Sequence, residues 1–373
     1  ADTENDNLAI GYDALGGAIA GGEYNVAIGN YSLDANTSGD YNTAVGYHGL
    51  GANTTGSSNT ASGYMALVSN TTGDFNSAFG TYALANNTEG GYNTASGQQS
   101  LYVNTTGNYN SAFGLSALGA NTTGTRNIAI GNNAYDAADT ENDNLAIGYD
   151  ALGGAIDGGE YNVAIGNYSL DANTSGDHNV AVGYHALTAN TTASSNTAVG
   201  NYALDANTTG QLNDAHGVHS LSDNTTGDYN VALGSSSLRY NTTADGNTAI
   251  GYTALREVNR TADTDGFNTA LGYNAGNTNT NDITTGNKNT LLGASTAASA
   301  AAGTNQSVIG YGASGQADNS VTLGNADVTA VYMAQDQGAT VYAAGVDITG
   351  STGLILENDE TITNSTDGTI VID

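Results

Sequence analysis

The feature that most constrains the fold of this chain is a short motif, Asn-x-Ala-x-Gly, which recurs at a nearly constant spacing. Between Asn7 and Asn247 successive motifs are 17 residues apart, or 18 in two cases. A full unit is represented by residues 196–212, with Leu at the ninth position, as at Leu204. A strict period of this length is typical of a solenoid in which each unit forms one coil.

The unit is too short for two helices and a turn, so each coil must be built from extended chain. Its two apolar patches, such as TAVG and YAL, are short and bounded by Gly and by NTTG, which predicts two short β-strands per coil. Side chains alternate across a strand. Val26 and Ile28 should therefore face one way and Ala27 the other. We predict an all-β parallel β-solenoid with an interior of Ala and Leu and a bulky outer face.

Two kinds of corner follow from the repeat. The motif glycines fit positions where the backbone turns with positive φ or approaches a neighbouring coil closely; the first four regular ones are Gly29, Gly46, Gly63 and Gly80. The NTTG segments fit a second corner, where stacked Asn side chains can hydrogen-bond along the axis as an amide ladder. The predicted ladder consists of Asn53, Asn70, Asn104, Asn121, Asn190, Asn207, Asn224 and Asn241.

Charge excludes several classes of partner. The 373 residues include 36 acids and only five Lys or Arg, for a net charge of −31. Nucleic acids and anionic membranes are bound through Lys and Arg, so neither is expected as a partner. No stretch of 18 apolar residues is present, which argues against membrane insertion. Cysteine is absent, so the fold should not depend on redox state.

A coil this thin buries little apolar area and leaves its bulky face exposed. We therefore expect chains to associate along that face. A second repetition supports an elongated role: residues 1–40 and 138–177 match at every position except Ala20, where Asp157 stands in the second copy. A block of eight coils that is duplicated in this way suits a protein whose product is length. It does not suit a unique active site, so we predict no enzymatic activity.

The repeat changes character along the chain. We expect a regular 17-residue solenoid over 1–262, an irregular continuation with 21- and 14-residue steps over 263–325, and a strand-rich neck or connector module over 326–373. An Ala-rich stretch, 294–302, is the one segment that could form a helical turn.

The NTAVGYxALxANTTG units and the segment SVIGYGASGQADNSVTLG resemble the head repeats of trimeric autotransporter adhesins. They also resemble phage tail-fibre-type proteins, in which such arrays are often followed by an endosialidase-type intramolecular chaperone. The resemblance covers almost the whole chain. It implies a homotrimer of left-handed β-rolls, with higher fibre assembly open, on a virion or bacterial cell surface outside the cell.

Calcium is the best candidate for a small ligand, and no other cofactor is expected. Three acidic segments offer oxygen ligands at alternate positions, through the side chains of Asp2, Glu4, Asp6, Asp139, Glu141, Asp143, Asp263 and Asp265. The first two segments lack the Gly and the final Glu of an EF-hand loop. The alternative is that these residues form solvated acidic corners.

These observations predict a non-enzymatic structural fibre that mediates multivalent adhesion to a host or cell-surface glycan or protein. The alternative is a self-assembling extracellular filament or matrix protein whose ends join head to tail, with no dedicated receptor. Gly310, Gly312 and Gly315 match the dinucleotide pattern G-x-G-x-x-G, but the sequence after them reads as a strand. A nucleotide site would need a helix there, so a repeat corner is the better interpretation.

Overall fold

The computed structural model describes residues 6–17, 21–137, 139–259 and 265–331. This part of the chain contains no helix and consists of nineteen three-residue strands joined by turns. The strands are β1 Leu8–Ile10, β2 Val26–Ile28, β3 Thr43–Val45, β4 Thr60–Ser62, β5 Ser77–Phe79, β6 Thr94–Ser96, β7 Ser111–Phe113, β8 Ile128–Ile130, β9 Leu145–Ile147, β10 Val163–Ile165, β11 Val180–Val182, β12 Thr197–Val199, β13 Asp214–His216, β14 Val231–Leu233, β15 Thr248–Ile250, β16 Thr269–Leu271, β17 Thr290–Leu292, β18 Ser307–Ile309 and β19 Val321–Leu323.

Each strand pairs in parallel with the next strand along the chain, so the nineteen strands form one sheet and the chain winds as a β-solenoid of about 18 turns. The motif residues are in register, as where Ala27 pairs with Ala44. The parallel strand pairing continues without a break through the irregular segment, because β15 pairs with β16 and β16 pairs with β17. The solenoid therefore accommodates coils of different length by changing its turns and keeping its strands.

The prediction of two strands per coil was wrong. The second apolar patch forms a series of turns in which alternate residues are left-handed, for example Tyr31 at φ 60° and Leu33 at φ 49°. Its backbone still bonds between coils, since the N–H of Leu33 donates to the carbonyl of Gly49 at 3.0 Å. The inter-coil hydrogen bonds that favour a strand are thus present, but the left-handed residues prevent an extended conformation.

The predicted helical turn in the Ala-rich stretch was also wrong. Its described backbone follows the solenoid: the N–H of Ala297 donates to the carbonyl of Ala313 at 2.9 Å, and Ala297 forms an isolated parallel bridge with Ser314. High helix propensity is a weak preference that tertiary context overrides. Here the neighbouring coil provides the competing hydrogen bonds.

The core is thin, as expected, but it is not only aliphatic. The central Ala of the strands and the Leu of the ninth position are fully buried, as at Ala27 and Leu33. Asn side chains are equally buried in almost every coil, as at Asn25 and Asn53. The interior of Ala and Leu alone that we predicted was therefore incomplete, because amide groups form a large share of it.

The chain divides into two compact units, Ala1–Val328 and Thr329–Asp373. The first contains all nineteen strands. From residue 332 onward the second unit lies outside the described residues, and so does most of the predicted C-terminal module.

Candidate functional site

The predicted corner glycines turn the chain after each strand. Gly29, Gly46, Gly63 and Gly80 have φ between 132° and 145°, a region that other residues avoid. A side chain would also have no room: a Cβ on Gly29 would lie 2.5 Å from the carbonyl oxygen of Gly46 in the next coil. Both reasons given for glycine, positive φ and close approach, therefore hold at the same position.

The predicted amide ladder is present. The Nδ2 of Asn70 donates to the Oδ1 of Asn53 at 2.8 Å and to the carbonyl of Gly73 at 3.0 Å, and this pattern repeats along the axis. The ladder also includes three residues that the sequence analysis left out, Asn36, Asn87 and Asn173. It runs in two stretches, from Asn36 to Asn121 and from Asn173 to Asn241.

A second ladder was missed. The Asn that begins each motif accepts a hydrogen bond through its Oδ1 from the backbone N–H of the next motif Asn, as from Asn42 to Asn25 at 2.9 Å. Its Nδ2 donates to a carbonyl fourteen residues on, as from Asn42 to Gly56 at 2.8 Å. The signal was available, because this Asn lies two residues before the buried Ala and so on the inward side of the chain.

The outward face of the sheet is the largest candidate for binding. The first and third residues of each strand point away from the core, and many are large and apolar. Ile10 is 55% exposed and Phe79 45%. The exposed apolar residues of the strands are Leu8, Ile10, Val45, Phe79, Phe113, Ile128, Ile130, Leu233, Leu271, Leu292, Ile309, Val321 and Leu323. We call this set the outer face.

Aromatic residues border the outer face on both sides. One column lies two residues before each strand's first outward residue; in it Phe75, Tyr92 and Tyr109 are stacked, with ring centroids 4.8 and 5.0 Å apart. Another lies two residues after the last outward residue, where Tyr47 and Tyr64 are stacked at 5.4 Å. These rings are exposed, so the apolar surface is wider than the strands alone.

The outer face is not uniform. Along the third strand position large and small residues alternate through Ser62, Phe79, Ser96 and Phe113. Further along, β13 carries Asp214 and His216, which form an ion pair at 2.9 Å when the imidazole is protonated. The apolar residues of the face are therefore interrupted by polar ones at Ser62, at Ser96 and at the charged pair of β13, and the apolar stretches between them suit an apolar partner.

In one of the three candidate calcium segments, the one that contains Asp139, Glu141 and Asp143, the acidic side chains already have hydrogen-bond partners within the protein. Asp143 accepts both hydrogen bonds of Arg126, at 2.6 and 2.7 Å, and this contact holds the pKa of Asp143 below its ordinary value. Glu141 is buried and accepts backbone N–H donors, at 3.0 Å from Asp139 and 3.1 Å from Thr140. Asp139 accepts the hydroxyl of Thr122.

The other two segments are only partly described. Asp6 and Asp265 are exposed, while Asp2, Glu4 and Asp263 lie outside the described residues. Within the described ranges no three Asp, Glu or His side chains converge as a metal site requires. Calcium binding stays a prediction.

The glycine pattern at Gly310, Gly312 and Gly315 leads into strand β19, which agrees with a repeat corner. The described part of the chain also contains no helix long and apolar enough to cross a membrane. No protein-family model matches the chain, and a search of curated proteins finds no significant similarity.

Proposed function

We propose that the chain is a non-enzymatic structural fibre, a homotrimeric β-solenoid on a virion or bacterial cell surface that mediates multivalent adhesion. The observation that carries the proposal is the outer face, together with its aromatic borders. Soluble monomers rarely expose apolar surface of this extent. The core beneath it is made of Ala, Leu and Asn, so burial of the outer face against other copies would add the apolar area that a single coil lacks.

A threefold arrangement fits the residues of this face. Around such an axis the same position of three chains meets at the same level. Three Phe79 rings would then lie between levels occupied by Ser62 and Ser96, whose small side chains leave space for the rings. The resemblance to trimeric adhesin heads supports the same number of chains.

Adhesion follows from repetition. Three parallel copies of one surface present every weak contact three times, and linked contacts bind more tightly than single ones. The net charge of −31 keeps such a fibre soluble, and the ladders of inter-coil hydrogen bonds make it stiff. Length is set by the number of coils, which the duplicated block has increased.

The oligomeric state tests the proposal. Light scattering after size-exclusion chromatography should give about 112 kDa, three times the chain mass of 37.4 kDa, and cryo-electron microscopy should show threefold symmetry. The double variant Phe79→Ser/Phe113→Ser should dissociate. Val68→Ser, which removes an apolar side chain outside the outer face, should remain trimeric.

A monomeric wild type would overturn the proposal. If the protein instead formed filaments of indefinite length, the observation would favour the alternative of a matrix polymer whose chains join head to tail. The same measurements with and without a chelator test calcium: loss of the trimer in the chelator, restored by added calcium, would support a structural calcium ion.

A further inference from the structure

A depression of about 320 Å³ lies in the turn segment that follows the corner glycine, away from the outer face residues. Its walls come from three successive coils. Gln99 and Tyr102 belong to the first, Ser116 and Gly119 to the second, and Asp136 to the third. The site is thus built by stacking and not by one continuous segment.

The depression lies where a glycine stands between two larger residues in the same column. The tenth position of the unit carries Tyr102 in the coil before Gly119 and Asp136 in the coil after it. Gly51 holds the same position in an earlier coil, but there the imidazole Nδ1 of His48 lies 3.0 Å from where a Cβ would be. At Gly119 the equivalent of His48 is Ser116, which is too short to cover the glycine.

The dimensions suit one sugar ring. Tyr102 and Asp136 are two coils apart, which corresponds to about 10 Å at the usual strand spacing. That gap accepts a single pyranose between the aromatic ring and the carboxylate. Tyr102 is held in place by an edge-on contact with Tyr82, with ring centroids 6.0 Å apart.

The polar groups of the walls are available for a ligand. In the described part of the chain neither the side-chain amide of Gln99 nor the side-chain hydroxyl of Ser116 has a hydrogen-bond partner. The Asp136 carboxyl is half-buried, and this burial, followed by the negative charge of Asp150, raises its pKa. An amide, a hydroxyl and a carboxylate beside an aromatic ring can bind the hydroxyls and the C–H face of a sugar.

We propose that the depression between Tyr102 and Asp136, with Gly119 as its floor, binds one neutral pyranose unit of a glycan. The sugar is neutral because Asp136 and the net charge of −31 repel acidic sugars. The inference rests on the proposed function and deepens it by naming a ligand class for adhesion. The corresponding positions of the second block hold Arg239 and Arg256 in place of Tyr102 and Gly119, so each chain carries one site and a trimer would offer three equivalent sites.

Saturation-transfer NMR on the whole protein tests the proposal with three neutral disaccharides, lactose, maltose and cellobiose, and with sialyllactose as the acidic probe. At least one neutral disaccharide should bind with a Kd in the millimolar range, as expected for a shallow open site, and sialyllactose should bind at least tenfold more weakly. Gly119→Val, which copies Val68 of an earlier coil, should fill the floor and weaken binding at least tenfold.

Gly51→Val is the matched control, because it makes the same change in the same column at a glycine that the imidazole of His48 already covers; it should leave binding unchanged. Tyr102→Val and Asp136→Asn keep the proposal testable if Gly119→Val does not fold, and each should weaken binding severalfold while thermal unfolding remains cooperative. Absence of binding by all three neutral disaccharides, or binding that survives both Gly119→Val and Tyr102→Val, would overturn the proposal. Neither result would alter the oligomeric state, which tests the fibre separately.

Discussion

The regular coils between residues 25 and 126 differ from the junction coils, 127–161, where one eight-coil block meets its copy. In the regular coils the ninth residue is Leu, the twelfth Asn and the fifteenth Gly. In the first junction coil these positions hold Tyr135, Ala138 and Glu141. The corner glycine after the strand, Gly131, is kept. A coil can therefore lose its amide ladder but not its corner.

The junction replaces the missing amide with side chains from other positions. Tyr135 is fully buried, and its hydroxyl accepts a hydrogen bond from the Nδ2 of Asn144 at 2.6 Å. The Glu141 carboxylate accepts from the N–H of Gly158 in the next coil at 3.1 Å. The preceding ladder ends at Asn121, whose Oδ1 has no partner. The comparison teaches that the ladder is a replaceable source of hydrogen bonds, whereas the corner is fixed by backbone geometry.

The largest effect should come from the corner. In Gly80→Ala the new Cβ would lie 2.7 Å from the carbonyl oxygen of Gly97, at a φ of 133°. Gly158 in the junction also has positive φ, 104°, but nothing lies within 4 Å of its Cβ position. We expect a loss of at least about 3 kcal/mol in the free energy of unfolding for Gly80→Ala, and about 1 kcal/mol for Gly158→Ala. Urea unfolding measures both; equal losses would show that φ alone matters.

The next effect concerns the interior of the ladder against its end. Asn87 donates to the Oδ1 of Asn70 at 2.7 Å and accepts from the Nδ2 of Asn104 at 2.7 Å. Asn87→Ala leaves both neighbours with buried, unpaired groups and should cost about 2–3 kcal/mol. Asn121 donates to Asn104 but accepts nothing, so Asn121→Ala should cost about 1 kcal/mol less. Equal losses for Asn87→Ala and Asn121→Ala would contradict this prediction, because they would show that the second hydrogen bond of an interior Asn adds nothing to stability.

At the junction the consensus residue should be harmful. Glu141→Gly restores the glycine of the regular coils but removes the acceptor for the backbone N–H groups of Asp139, Thr140 and Gly158. We expect a loss of about 1–2 kcal/mol, measured by thermal unfolding. Glu141→Gln keeps one acceptor oxygen, so its stability should lie between that of the wild type and that of Glu141→Gly. Stabilisation by Glu141→Gly would mean that the buried carboxylate costs more than its hydrogen bonds return.

Much of the fold could be predicted because the period places residues. The 17-residue step and the alternation around Ala27 were enough to predict the parallel sheet, its inward Ala and its outward Val and Ile. The second patch was misread as a strand because YAL has the composition of one, while the left-handed φ of Tyr31 and Leu33 leaves no mark on composition. Tyr and Leu rarely adopt that conformation, and only the stacked coils hold them there.

The candidate site was predicted less completely. The amide ladder was predicted wherever the turn begins with NTT, but Asn87, in NTEG, was left out because its third turn residue is not Thr. The partner of Asp143 could have been found, since Arg126 lies 17 residues away and so in the adjacent coil. The depression at Gly119 could not, because it depends on the sizes of side chains in three coils at once.

The smallest effect concerns the tenth position of the unit, which carries Asp136 at the junction and Asp205 in a later coil. Burial is the main cause that raises the pKa of Asp205 to about 6. The negative charge of Asp223 also raises this pKa, whereas the positive charge of Arg239 lowers it. In the unfolded chain an Asp titrates near 3.9. Between those values the folded state binds the extra proton, so this residue's contribution to stability rises as pH falls from about 6 to about 4 and declines as pH rises.

At pH 7 the ionised carboxylate is a cost to the fold, and Asp205→Asn should remove it. Because the group is about half exposed, solvent screening should limit the gain to less than about 1 kcal/mol. The gain should vanish below about pH 4, where both states are protonated. Glu89→Gln, which removes an exposed carboxylate from a regular coil, serves as the control for the loss of one negative charge. Thermal unfolding of the three proteins from pH 4 to pH 8 measures the difference, and a gain that persists at pH 4 would assign the effect to shape instead of charge.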